Sequence, residues 1–76
     1  MSYLETAATY LNDKKPDLEE NPIEVASAAA KDAQEREQEL FEQMSSEEPD
    51  EGKKGTLRMI SREIATSEMV DFLSNL

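Results

Sequence analysis

Residues 21–43 read NPIEVASAAAKDAQEREQELFEQ, and the fold turns on this stretch. Asn21 offers a capping side chain, Pro22 suits the first helical position, and Glu24 stands three residues after the cap. Ile23, Ala26, Ala30, Ala33, Leu40, Phe41 and Met44 then fall on one face at about 100° per residue. The pattern predicts a long central helix over about residues 22–44. The first half of its apolar face is almost all alanine. Alanine lets another backbone come close but hides little apolar area of its own. The helix is therefore built to lie against a second element, in its own chain or in another. Its outer face is charged, with Lys31, Asp32, Glu35, Glu39 and Glu42. Glu37 falls inside the apolar stripe, between Ala33 and Leu40. A buried carboxylate is costly unless paired. Two readings stay open: Glu37 meets a Lys or Arg of a partner and fixes register, or it reaches solvent at the stripe's edge.

Working toward the N-terminus, Ser2-Tyr3-Leu4-Glu5 has the form of a capping box, and Leu4, Ala7, Ala8 and Leu11 come after it at helical spacing. A helix is predicted over about 3–12. Pro16 disfavours helical backbone at Lys15, so residues 13–20 read as a linker.

Toward the C-terminus, residues 45–55 (SSEEPDEGKKG) contain two Gly, one Pro, two Ser and no large apolar side chain. They read as a flexible acidic loop. Thr56 can cap a third helix. Leu57, Ile60 and Ile64 make one stripe, and Met69, Phe72, Leu73 and Leu76 make a second, turned around the same wheel. Thr66, a capping type, sits at the jump. Two short helices are expected, about 57–65 and 67–75; the alternative is one helix meeting different neighbours along its length. No stretch alternates long enough to predict a strand. The expectation is a single small all-α domain over residues 1–76. It would be extended or loosely packed, with three to four helices.

The chain has 76 residues, 18 acidic against 8 basic, for a formal charge of −10. With no Cys there is no thiolate chemistry, and with no His there is no imidazole base or ordinary zinc ligand. Residues 47–58 fail as a calcium loop: with Gly52 at the sixth position, Pro49 falls at the third and Arg58 at the twelfth. Gly52-Lys53-Lys54-Gly55-Thr56 has phosphate-loop residue types without phosphate-loop spacing or a preceding strand. The expected chain is not an enzyme and takes no cofactor, metal or small-molecule substrate. Its acidity argues against direct nucleic-acid binding. The first five residues lack the pattern of a signal peptide, and no apolar run approaches the roughly 20 residues of a membrane span. A soluble protein is expected, intracellular or packaged inside a particle.

The functional expectation is a structural, assembly or adaptor protein. It would dock by amphipathic helices on a larger protein or on copies of itself, as a small component of a viral particle or another assembly would. The alternative is a small acidic inhibitor that occupies a basic groove as a mimic of nucleic-acid charge. The expected partner-binding residues are Ile23, Ala26, Ala30, Ala33, Glu37, Leu40, Phe41 and Met44 on the long helix. Met69, Phe72, Leu73 and Leu76 join them at the C-terminus, at the i, i+3, i+4, i+7 spacing of a groove-binding helix.

Overall fold

The computed structural model describes residues 2–76, and within them the chain is all-α. Helix α1 spans Tyr3–Lys14, α2 spans Pro22–Ser46, and α3 spans Lys54–Ser74, entered through a single 3-10 turn at Glu51–Lys53. The helix starts obey the local signals. The Ser2 hydroxyl accepts from the Glu5 amide at 3.1 Å, and the Glu5 carboxylate accepts from the Ser2 amide at 3.4 Å, closing the capping box. The Asn21 side chain accepts from the Ile23 amide at 2.9 Å, with Pro22 in the first turn.

Three expectations are corrected. The C-terminal region is one helix, not two. Thr66 does not cap a new helix there; its hydroxyl donates back to the Arg62 carbonyl at 2.8 Å inside a continuous one. Nor does Thr56 start α3, which begins two residues earlier. The irregular stretch after α2 is also shorter than residues 45–55. Asp50 caps the 3-10 turn by accepting from the Gly52 amide at 2.9 Å, which leaves residues 47–50 between α2 and that turn.

The three helices run up, down and up. Tyr3, at the start of α1, reaches Glu37 in the middle of α2, while Lys15, just past its end, donates to the carbonyls of Ser74 and Leu76. Helix α1 therefore runs alongside the C-terminal half of α3 and antiparallel to α2. At about 1.5 Å per residue, α1 is roughly 18 Å long and α2 roughly 37 Å. The α2–α3 hairpin consequently projects well beyond α1, and the molecule measures 48 × 16 × 16 Å.

The core lies where all three helices meet. Tyr3, Ala7 and Leu11 of α1 pack with Ala26, Ala29, Ala30 and Ala33 of α2 and with Ala65, Met69 and Leu73 of α3. Helix α3 buries a row four residues apart: Ser61, Ala65, Met69 and Leu73. Its upper half is small, as is the α2 row it faces. Small residues on both sides let helix axes approach at the near end of the usual range. Ser61 is fully buried and satisfied by its own helix, donating to the Leu57 carbonyl at 2.8 Å. The large side chains Ile60 and Ile64, which with Leu57 make one apolar stripe in the sequence, stand outside it.

Candidate docking surface

Helix α3 carries a second row directly beside the buried one. Ile60, Ile64, Glu68 and Phe72 recur at four-residue spacing, and the three apolar members are 38%, 37% and 57% exposed. A large apolar side chain left this open in a 76-residue acidic chain is the informative kind of exposure, because it repeats along one line. Glu68 interrupts the row but is engaged. Arg36 of α2 grips it with two donors, at 2.9 and 3.3 Å, and also approaches Glu39 at 3.8 Å. Below this pair Phe72 lines a shallow groove with Ala29, Asp32 and Ala33 of α2. The C-terminal half of the row, Glu68 and Phe72, thus borders a cleft between α2 and α3 formed without α1, while Ile60 and Ile64 continue the row beyond it.

A polar cluster on the α1 side does a different job. Tyr3 Oη donates to Glu37 Oε1 at 2.6 Å, Arg58 Nη1 lies 3.4 Å from Glu37 Oε2, and Arg62 Nη1 lies 3.7 Å from Oε1. The Glu37 side chain is only 15% exposed. Its cations therefore come from its own chain, on α3, and it is neither unpaired nor a solvated edge residue. The same arginines stack: Arg58 sits 3.8 Å over the Phe41 ring and Arg62 sits 4.6 Å over the Tyr3 ring. Burial, reinforced by the hydrogen bond to Glu37 and by its charge, pushes the Tyr3 phenol up to about 12. This cluster joins all three helices where α1 begins, and each of its groups is occupied by another.

The residues expected to bind partners divide between these surroundings. Ala26, Ala30, Ala33, Met69 and Leu73 are buried in the chain's own core. Leu40, Phe41 and Met44 are half-buried in the part of the hairpin beyond α1. Ile23 is 61% exposed, on the rim of a groove lined by α1 and the α1–α2 linker. Phe72 and Leu76 are exposed. The i, i+3, i+4, i+7 set is thus split: Met69 and Leu73 point inward, and Phe72 lies on the outer row. Ile60 and Ile64 were missed as surface residues because they are the largest apolar groups in their segment. The available signal was Ser61-x-x-x-Ala65, a small pair in line with Met69 and Leu73, matching the alanine row of α2.

No protein-family model, curated protein or solved structure matches this chain. Among the described residues no helix is long and apolar enough to cross a membrane.

Proposed function

We propose that this chain is a non-enzymatic docking protein, of the structural or adaptor kind, that attaches to a larger protein through the outer row of α3. The observation that carries this reading is the row itself: Ile60, Ile64 and Phe72 stand exposed in register beside a core row that is already filled. Their exposure does not come from poor folding of the helix, since the adjacent Ala65, Met69 and Leu73 are buried. Covering the row with a partner removes apolar surface from water at about 25 cal/mol per Å².

A photo-crosslinking amino acid in place of Phe72, introduced in the source cell or particle, tests this. The expected result is a defined adduct of fixed stoichiometry by mass spectrometry, with Asp13 on α1 as a position that gives none. Ile64→Ser combined with Phe72→Ser should abolish the native complex at a cost in stability well below that of Leu73→Ala. A complex that persists with both serines in place overturns the assignment.

A further inference from the structure

The row has an acidic frame, and that frame says what kind of segment it receives; this step rests on the docking reading above. Glu63 is one turn from Ile60 and Asp71 two turns from Ile64, both exposed, and Glu68 lies within the row. Across the cleft α2 contributes Asp32, which lines it together with Phe72. The cation lining this cleft is Arg36, already held by Glu68 and Glu39. Arg58 and Arg62 are turned away toward Glu37, and Lys15 is bound to carbonyls at the end of α3. A second copy of the chain is a poor occupant. Two surfaces of the same sign would be brought together, each on a chain of charge −10.

We propose that the outer row of α3, with the cleft beside Phe72, receives a cationic amphipathic helix of another protein. Apolar side chains on one stripe of that helix would cover Ile60, Ile64 and Phe72. Lys or Arg on its flanks would meet Asp32, Glu63 and Asp71, their aliphatic stems lying over the row's edges. Helix-in-groove docking supplies the geometry, and the acidic frame supplies selection and steering.

The test uses three synthetic helices with the same leucine stripe, flanked by Lys, by Gln or by Glu, titrated against the full chain by fluorescence anisotropy. The Lys peptide should bind at least about tenfold more tightly than the Gln peptide, the Glu peptide should not bind, and raising salt should narrow the difference. Glu63→Gln with Asp71→Asn should weaken the Lys peptide severalfold. Asp13→Asn with Glu42→Gln, the same charge change away from the cleft, should not. Ile64→Ser with Phe72→Ser should weaken it at least about tenfold, on the scale of interface hot spots. Equal loss from both charge-removing pairs, or Lys-peptide binding indifferent to the serines, would reduce the attraction to net charge and overturn the proposal. Equal binding of the Lys and Gln peptides would overturn it as well. That last result leaves the docking reading standing if the native complex is still lost on serine substitution, so the two can fail separately.

Discussion

In the half of the hairpin that α1 covers, α2 and α3 meet through Ala26, Ala29, Ala30, Ala33, Ser61 and Ala65, closed off by Leu11, Met69 and Leu73. In the half it does not cover, Leu40, Phe41, Met44 and Leu57 are only half-buried, and Met59 and Ile60 are exposed. In the covered body the α2–α3 contact is made largely by small residues and is buried; at the tip it is made by larger ones that stay partly exposed. Side-chain size alone does not decide burial here. Alanine and serine are buried because a third helix seals their sides and because two small rows permit close approach. The larger apolar groups at the tip have only one neighbouring helix, and a two-helix contact leaves part of every side chain facing water. Arg58 over Phe41 and the Glu37 cluster stand at the boundary between the two regimes.

Large-to-small changes on each side of that boundary put the contrast between body and tip under the greatest strain. Leu73→Ala, at a fully buried position, should cost about 2–5 kcal/mol, enough to unfold much of a small domain. Phe41→Ala at the tip should cost clearly less, and its loss should appear first as faster hydrogen exchange in the ends of α2 and α3 that face each other. Paired thermal melts check this; equal losses would mean the tip is packed as tightly as the body.

The next effect is alkaline. Tyr3 titrates in the unfolded chain near 10 and in the folded chain at about 12. Its neutral form is the one the fold prefers. The associated stability is fully present below pH 10 and is lost as pH rises through 10 to 12, amounting to on the order of 2–3 kcal/mol. Tyr3→Phe should therefore flatten the decline of stability across that window. Tyrosinate absorbance in a Tyr10→Phe background should track the same shift, and an unchanged decline would place Tyr3 outside the linkage.

Replacing Glu37 probes the boundary itself. Glu37→Leu removes the group that Tyr3, Arg58 and Arg62 share, leaving the Tyr3 hydroxyl without its acceptor. A loss of about 1–3 kcal/mol is expected, measured by urea unfolding. A gain would show that the cluster is retained for specificity and not for stability. The smallest effect belongs to the outer row. Phe72→Ala, on a ring 57% exposed, should change stability within about 0.5 kcal/mol. A loss comparable to Leu73→Ala would mean that the ring is part of the core and would remove it from the docking surface.

Much of the helical framework was legible locally. The Ser2–Glu5 box and Asn21-Pro22 set two helix starts because a cap satisfies amides within a few residues of itself. The end of α2 and the start of α3 were less legible, because the acidic turn that joins them uses Asp50 as a cap where Gly and Pro suggested only a loop. The continuity of α3 past Thr66 also escaped, since its two apolar stripes looked like two helices when their members are shared between a buried row and an exposed row that both run the length of one helix.

Local information was enough to show that this chain forms helices, where two of them begin, and that one carries an alanine face wanting a close neighbour. Each of these depends on hydrogen bonds and side-chain spacings within a few residues. Two matters were settled by packing alone: which of two adjacent α3 rows is buried, and who pairs with Glu37. Ser61 and Ala65 win over Ile60 and Ile64 because the facing row is alanine and small meets small at short range. Tyr3, Arg58 and Arg62 reach Glu37 from 34, 21 and 25 positions away along the chain. No local pattern encodes those distances; the packing of three helices of unequal length does.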